Sequence, residues 1–168
     1  MKNYETERLI LKPADLEDAD FFLKLYNLPS FIKYIGDRNL RTREDAEKYI
    51  QNKFRPQLQR SGFGNYVVIH KELNEKIGAV GIFERDGLDV LDIGFSFFPE
   101  FEGKGYAYDA AAHLKDIAKR DFGVSKLSAI TSKDNYASQK LIGKLGLKFQ
   151  KFVTLPDETE ELMYFESV

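Results

Sequence analysis

The chain has 168 residues, 43% of them hydrophobic and 31% charged, and this composition is ordinary for one soluble globular domain, which we expect over residues 1–168. It contains no cysteine, which excludes disulfides, thiolate metal sites and a cysteine nucleophile, and two histidines, His70 and His113, are too few to indicate a metal centre. A net charge of −2 without a basic block indicates no nucleic-acid partner, and no apolar run is long enough to span a membrane. The first residues, MKNYETERLI, lack the pattern of a signal peptide, which predicts a cytoplasmic protein.

Strand-like and helical patterns alternate from the beginning of the chain. A strand over residues 7–13 ends at a proline and is followed by a helix capped by Asp15. A second helix starts at Thr42, with an aspartate three residues later as in a capping box, and runs toward Pro56. Between these helices, residues 28–41 indicate a loop or a broken helix because they contain proline and glycine.

The remainder of the chain predicts a sheet interrupted by two helices. Two strands joined by a turn at residues 72–75, and a third strand after Gly87, indicate antiparallel hairpins. The segments read, in order, NYVVIH, KIGAVGIFER, DVLDIGFSFFP, a helix after Gly105, KLSAIT, NYASQKLIGKL, LKFQKFV and ELMYFESV. Three antiparallel strands followed by a β-α-β unit predict a mixed sheet of the α/β class with helices on both faces.

The most informative stretch is FPEFEGKGYAYDAAAHLKDIAKR, residues 98–120, in which two glycines precede an alanine-rich helix. An ordinary strand-to-helix turn is one interpretation of Gly103 and Gly105, because such turns commonly contain glycine. A dinucleotide-binding fingerprint needs a third glycine where Tyr108 stands, and the Walker pattern is absent. The third interpretation is a pyrophosphate site, in which backbone N–H groups of residues 103–107 bind an anion at the helix start.

Three segments resemble the GNAT superfamily of N-acetyltransferases, in the branch similar to the ribosomal-protein N-acetyltransferases (Rim type). PEFEGKGYAYDA resembles motif A of that family, Arg/Gln-x-x-Gly-x-Gly/Ala, with the acidic Glu100 at the first position, as is usual in this branch. ETERLILKPADLEDAD resembles the opening strand and helix of the branch, and NYASQKLIGKLGLKF resembles its Asn-x-x-Ser helix and Leu-Gly-Phe ending, with Leu147 replacing the phenylalanine. The resemblance implies the GNAT fold, a mostly antiparallel sheet of six to seven strands with a central β-α-β unit.

The resemblance also implies acetyl-CoA as co-substrate, without a metal. Its pyrophosphate would contact the backbone of the glycine loop, where a side chain would occupy the space of the phosphate oxygens. Its pantetheine arm would pair like an extra strand with the strand before the loop, where the sheet splays open beside KLSAIT. The implied pyrophosphate contacts are Glu102, Gly103, Lys104, Gly105, Tyr106 and Ala107. The implied pantetheine contacts are Phe95, Ser96 and Phe97, together with Asn135, which would alternatively only cap its helix.

An amine acceptor is largely protonated at neutral pH and must lose a proton before it attacks. Many family members keep an acidic residue at the start of the strand before the loop, so we assign Asp92 as the base, acting through water because aspartate is short. A solvent-exposed carboxylate without function is the alternative, and Glu84 on the neighbouring strand is a second candidate. A backbone N–H near Phe97 or Phe98 would stabilise the charge that develops on the thioester carbonyl oxygen.

A hydroxyl near the departing thiolate would assist its release. Many GNAT members use a tyrosine seven residues after the helix asparagine, but that position is Ile142 here. The Rim-type branch often has serine three residues after the asparagine, which makes Ser138 the candidate. Tyr136 is a weaker alternative.

We therefore predict an N-acetyltransferase that moves the acetyl group of acetyl-CoA to a primary amine of a small molecule or peptide by direct attack in a ternary complex. A non-catalytic acyl-CoA-binding module is the alternative, because it needs the glycine loop but neither Asp92 nor Ser138. A structural protein whose glycines serve only as turns is a third. Residues 29–41 and the acidic turn 156–161 are the predicted rims of the acceptor pocket. Phe31, Tyr34 and Ile35 would form an apolar wall of this pocket or, alternatively, pack against the core. The identity of the amine and the oligomeric state, a homodimer included, stay open.

Overall fold

One mixed sheet of eight strands organises the chain in the computed structural model, which describes residues 2–167. The strands are β1 (Tyr4–Glu5), β2 (Leu9–Pro13), β3 (Asn65–His70), β4 (Glu75–Phe83), β5 (Asp92–Phe97), β6 (Ser128–Thr131), β7 (Leu147–Val153) and β8 (Leu162–Ser167). Their order across the sheet is β1-β2-β3-β4-β5-β6-β8-β7. Neighbouring strands are antiparallel except β5 and β6, which run parallel. The predicted mixed, mostly antiparallel sheet is therefore confirmed.

Two features of the sheet differ from, or add to, the sequence prediction. The sheet has eight strands instead of six to seven, because the two-residue strand β1 pairs with β2 and is too short to show an alternating pattern. The final strand, β8, lies between β6 and β7 and pairs antiparallel with both. The half of the sheet beyond β5 is thus completed by residues that come late in the chain.

Helices cover both faces of the sheet, as predicted. The α-helices of residues 2–167 are α1 (Ala19–Leu25), α2 (Pro29–Tyr34), α3 (Arg43–Tyr49), α4 (Arg55–Ser61), α5 (Tyr106–Phe122) and α6 (Tyr136–Lys144). One buried cluster joins Ile93 and Phe97 to side chains of α5 and α6. The other joins Phe98 to side chains of α1 and α3. None of these helices is long and apolar enough to cross a membrane.

The predicted helix caps are confirmed by reciprocal hydrogen bonds. The side chain of Asp15 accepts from the first turn, and the N–H of Asp15 donates to the carboxylate of Asp18 at 2.9 Å. The hydroxyl of Thr42 accepts from the N–H of Asp45 at 3.1 Å, and the Asp45 carboxylate accepts from the N–H of Thr42 at 3.1 Å. Both pairs are capping boxes, which fix where the polypeptide turns into a helix.

The second helix, predicted to run toward Pro56, continues past that proline in the structure. A wide π-helical turn over Ile50–Phe54 follows α3, and α4 continues from Arg55 with Pro56 in its first turn. Proline lacks an N–H and cannot donate to the preceding turn, but it is tolerated in the first turn of a helix. A new α-helix therefore begins directly after the wide turn, with the proline in its first turn, and the helical segment continues.

Strands β4 and β5 pack closely because glycines of β4 lack side chains. A Cβ at Gly78 would overlap the ring of Phe97 and lie 2.7 Å from the backbone carbonyl oxygen of Ser96. The carbonyl belongs to the strand itself and cannot rotate away. Gly78 thereby sets the position of the β5 backbone that leads into the glycine loop.

Gly78→Ala should therefore destabilise the protein by about 1–3 kcal/mol, the usual range for forcing extra atoms into a packed core. Urea unfolding followed by circular dichroism measures this change. Gly143→Ala is the matched control, because Gly143 lies exposed within α6 and its Cβ would meet nothing within 4 Å. The control should stabilise by about 0.5–1 kcal/mol through the greater helix propensity of alanine. Equal midpoints for the two variants would contradict the packing argument.

Candidate functional site

The glycine loop adopts a conformation that suits glycine alone. After β5, a short 3₁₀ turn over Pro99–Phe101 leads to Gly103 and Gly105, whose φ angles are +73° and +83°. Side chains rarely adopt these angles, which explains both glycines without reference to a ligand. A Cβ at Gly103 would meet nothing within 4 Å, so the loop borders open space.

The same loop leads directly into a long helix. Gly105 is the N-cap of α5 and makes no side-chain capping bond, and α5 then runs for 17 residues. The first N–H groups of a helix have no partner within it, and they carry the positive end of the helix dipole. An exposed helix start of this kind favours an anion. This geometry agrees with the predicted pyrophosphate site.

The sheet opens between β5 and β6, as predicted. The register between these two strands is a single pair, Asp92 opposite Ser128, after which the strands diverge. The N–H of Phe98 donates to the carbonyl of Ile77 on β4 at 3.1 Å. Because the backbone groups of a strand alternate between its two edges, those of Phe97 face the opening.

Asp92 is buried where β5 and β6 still touch. Its carboxylate is 2% exposed, and its Oδ2 accepts a hydrogen bond from Nε of Arg85 at 2.5 Å. Its Oδ1 has no hydrogen-bond partner among the described residues. Burial raises the pKa of Asp92 above the ordinary aspartate value, and the nearby Arg85 guanidinium opposes that rise. The alternative of a solvent-exposed strand-edge carboxylate is wrong.

Helix α6 starts on the far side of the opening, after β6. Oδ1 of Asn135 accepts a hydrogen bond from the N–H of Ser138 at 3.3 Å, so Asn135 caps the helix. Ser138 lies half-buried in the first turn, whereas Tyr136 is 73% exposed. Of the two hydroxyls, that of Ser138 is the more sheltered from bulk water.

A split parallel pair beside a glycine loop and a helix start is the arrangement that motif A predicted. The family model for the acetyltransferase (GNAT) domain matches residues 8–148 of the chain. The chain belongs to the GNAT acetyltransferase family.

Known acetyltransferases are similar to this GNAT chain in sequence or in structure. An uncharacterized N-acetyltransferase, p20 of Bacillus licheniformis, is 30% identical over 161 residues, which cover 94% of this chain and 87% of p20. A structure of RimL, the ribosomal L7/L12 α-N-protein acetyltransferase, in complex with coenzyme A has a TM-score of 0.84 at 16% identity and covers 99% of this chain and 98% of that chain. The ribosomal-protein-S5-alanine acetyltransferase of Vibrio fischeri has a TM-score of 0.82 at 17% identity and covers 100% of this chain and 97% of that one. The predicted GNAT family is confirmed, the two ribosomal-protein acetyltransferases share the fold of this chain, and the chain is an N-acetyltransferase by family.

The second candidate base of this GNAT domain, Glu84, has a different setting. Its carboxylate is 50% exposed and pairs with Arg60 of α4, with an Nη2–Oε2 distance of 2.5 Å. An exposed ion pair of this kind contributes little energy, and water solvates the carboxylate directly. Asp92 and Glu84 therefore differ in burial and in partner, and Glu84 lies one residue beyond the end of β4 instead of on the strand.

The two predicted rims of the acceptor pocket meet in the structure. The buried hydroxyl of Ser132, directly after β6, lies 2.9 Å from Oε2 of Glu160 and 3.4 Å from the carbonyl oxygen of Tyr34. It thus joins the turn before β8 to the end of α2. Phe31 of α2 is only 5% exposed and stacks on Tyr26 with ring centroids 4.1 Å apart, so Phe31 belongs to the core.

Sequence reasoning missed a group of residues that holds the glycine loop from outside. Arg8, before β2, contacts Asp109 and the carbonyl of Lys104, and His70, at the end of β3, contacts the hydroxyl of Tyr106. The β2–β3 register brings Arg8 and His70 together, because Leu9, which follows Arg8 in the chain, is paired with His70. No spacing in the sequence connects these positions. Among residues 2–167, no group of three acidic, histidine or cysteine side chains is placed to hold a metal ion.

Proposed function

We propose that the protein transfers the acetyl group of acetyl-CoA to a primary amine by direct attack in a ternary complex. The observation that carries this proposal is the exposed start of α5, which follows the glycine loop beside an open sheet edge. Acetyl-CoA supplies, when bound, an acetyl group activated as a thioester. The absence of cysteine from the chain favours direct transfer over an acetyl-cysteine route.

The glycine loop fits a pyrophosphate on chemical grounds. Its anionic oxygens need several N–H donors and a positive potential, and both are provided at a helix N-terminus. The open space around Gly103 accommodates the ligand, and the exposed Lys104 adds a positive charge. The residues proposed to bind it through their backbone are Glu102, Gly103, Lys104, Gly105, Tyr106 and Ala107.

The open edge of β5 fits an extended arm that contains amides. We assign the pairing to Phe95 and Phe97, whose backbone groups alternate with those bonded to β4. Ser96 lies between them, and its backbone N–H and carbonyl are directed to β4. Ser96 therefore offers the ligand no backbone hydrogen bond of its own. The N–H of Phe98 is already bonded to Ile77, which leaves Phe97 as the donor to the carbonyl oxygen that gains charge.

Proton removal from the amine is assigned to Asp92 acting through water. A carboxylate in a buried site beside the cleft has its pKa raised, and a higher pKa makes it a better proton acceptor near neutral pH. Arg85 holds the carboxylate in place and favours its ionised form, which opposes part of the rise in pKa that burial causes. Ser138 is assigned the hydrogen bond to the departing thiolate, and Asn135 fixes the helix turn that carries it.

The acceptor is a primary amine that enters between α2 and the acidic turn before β8. RimL and the S5-alanine acetyltransferase are named as acetyltransferases of ribosomal proteins. Their likeness in fold supports a protein N-terminus as one acceptor class for this chain. The carboxylates of the acidic turn 156–161 favour a cationic molecule, and an amine is a cation as long as it is protonated. The alternative of a non-catalytic acyl-CoA-binding module shares the loop and the open edge but would not need Asp92 or Ser138.

The direct test is a screen of amines with acetyl-CoA in which release of free thiol is followed. The panel should contain peptides with free N-termini, polyamines, aminoglycosides and amino acids. Turnover of any amine supports the proposal. CoA binding without turnover of any member favours the binding module, and the absence of CoA binding rejects both.

Gly103→Glu should weaken CoA binding about fivefold or more, because its side chain would enter the open space proposed for the pyrophosphate, where two like charges about 4 Å apart repel by roughly 1–4 kcal/mol. Calorimetric titration with CoA measures the change. Gly123→Glu is a matched control: Gly123 also has a positive φ, +68°, and lies at the opposite end of α5. It introduces the same charge and similar backbone strain, and should bind CoA as the wild type does. Equal weakening in both variants would assign the effect to strain alone.

Asp92→Asn should lower kcat/KM by about 10²–10⁴-fold near neutral pH, the usual contribution of a general base, while CoA binding is retained. In the wild type, kcat/KM should fall as pH decreases through the pKa of Asp92, since the base must be deprotonated. Because burial raises that pKa, the acidic limb should lie above the ordinary aspartate range. The variant should lose this limb and regain rate at high pH. Glu84→Gln is the control, and a loss of the limb in that variant instead would move the base to Glu84.

Ser138→Ala should reduce kcat about ten- to a hundredfold without weakening acetyl-CoA binding, because one hydrogen bond to a charged group contributes about 1.5–3 kcal/mol. Tyr136→Phe, made in parallel, removes the other candidate hydroxyl and should leave kcat unchanged. The measurement is steady-state kinetics with an amine found by the screen. The reverse result would assign the thiolate to Tyr136, and full activity in both variants would show that no side-chain hydroxyl is needed.

A further inference from the structure

Arg8 contacts three residues of the glycine loop and the start of α5, although it lies almost a hundred residues away in the chain. Its Nη1 donates to the carbonyl oxygen of Lys104 at 3.1 Å. Its Nε donates to Oδ2 of Asp109 at 3.0 Å, and its Nη2 lies 2.9 Å from the same oxygen. Its guanidinium carbon also lies 4.6 Å from the centroid of the Tyr106 ring. One side chain thus reaches the residue before the helix cap, the first residue of α5 and its first turn.

The bond to Lys104 fixes the direction of an N–H group. The carbonyl of Lys104 and the N–H of Gly105 belong to one planar trans peptide, in which they point in opposite directions. A carbonyl held toward Arg8 therefore directs the N–H of Gly105 to the other side of the loop. That N–H is one of the donors proposed for the pyrophosphate. With glycine at this position the peptide would otherwise rotate easily, because glycine restricts the backbone least.

The bond to Asp109 has an electrostatic consequence. Asp109 lies in the first turn of α5, where its negative charge would repel an anion bound at the same helix start. Arg8 forms an ion pair with it, with side chains 41% and 35% exposed, and cancels most of that charge. The field at the helix start is then that of the helix dipole and its free N–H groups.

Tyr106 is held from two directions. Arg8 lies over the ring, and Nε2 of His70 lies 3.0 Å from the Tyr106 hydroxyl. Nδ1 of His70 accepts the N–H of Leu73 at 3.1 Å, so in neutral His70 the proton resides on Nε2, which donates to the Tyr106 oxygen. The first residue of α5 is thereby fixed to the end of β3, and its N–H is fixed with it.

We propose that Arg8 is a positioning residue for the pyrophosphate of acyl-CoA: it orients the Gly105 N–H through Lys104 and neutralises Asp109 at the start of α5. This inference rests on the proposed function, since it concerns the same ligand. It assigns a role in cofactor affinity to a residue on the opening strand segment, outside motif A. Arg8 itself contacts the loop from outside and is not a catalytic residue.

The test compares CoA with pantetheine, which lacks the pyrophosphate. Arg8→Met retains an unbranched apolar stem and removes the charge and the donors. Its Kd for CoA, measured by calorimetry, should rise about ten- to a hundredfold, the effect of one or two lost hydrogen bonds to charged or loop groups. Its weak binding of pantetheine, measured by saturation-transfer NMR, should match the wild type. Arg43→Met is the matched control, because Arg43 of α3 also forms ion pairs, but its partners Asp20 and Glu47 belong neither to the glycine loop nor to α5.

Two further variants separate the two roles of Arg8. Adding Asp109→Asn to Arg8→Met removes the uncompensated carboxylate and should recover part of the CoA affinity, but not the part that depends on the Lys104 carbonyl. Arg8→Lys retains the charge but cannot reach both partners with a guanidinium fork, and should give an intermediate Kd. It also provides the same comparison if Arg8→Met does not fold.

The outcomes are distinguishable from those of the proposed function. Selective loss of CoA affinity supports the inference. An unchanged Kd for CoA, or an equal loss of CoA and pantetheine binding, overturns it and leaves Arg8 with a structural role alone. If the wild-type protein does not bind CoA, the proposed function fails and this inference fails with it.

Discussion

The structure depends on one constraint, the separation of β5 from β6 after a single pair of residues. Strands that diverge leave backbone donors and acceptors along the open edge, and such groups need partners. A second chain of amides can supply them without any specific side chain. The sequence of β5 is consequently free to use its side chains for packing, with Phe97 against α5 and Phe98 against the N-terminal helices. In the proposed binding mode, cofactor recognition is left largely to the backbone.

The same separation explains why a charge is buried in this part of the sheet. Asp92 lies at the last point where the two strands are in contact, and it is removed from water by both. A buried carboxylate without a partner would strongly destabilise the fold, and Arg85 provides that partner from the loop between β4 and β5. The pairing restrains the position of the carboxylate, but it also reduces its basicity. The balance between burial and Arg85 sets where this group titrates.

Much of the fold could be predicted from local patterns. The caps at Asp15 and Thr42, the hairpins and the β-α-β unit depend on residues close in sequence, and each appears in the structure. The π-helical turn before Pro56 was not visible, because such a turn has no sequence signature comparable to a cap. The place of β8 in the sheet was also hidden, since strand order is decided by packing over the whole chain.

The candidate site divides in the same way. The glycine loop and the helix start follow from spacing within one segment, so they were predictable. The burial of Asp92 was not, because the residue that covers and pairs with it lies across a loop whose path the sequence does not give. The contacts of Arg8 with Lys104 and Asp109 join segments about a hundred residues apart, and only the assembled sheet brings them together.

The position of β8 between β6 and β7 has a consequence for the order in which the protein forms during synthesis. Strand β6 can pair with β5 as soon as α5 has folded back, but its other edge waits for β8, which leaves the ribosome only after α6 and β7. Until then β6 is an edge strand with one residue pair to β5 and exposed backbone groups on both sides. Pairings between segments distant in the chain form slowly. The far wall of the cleft is therefore assembled last, and a nascent chain should retain an incomplete cofactor cleft after its first four strands and N-terminal helices are already in place.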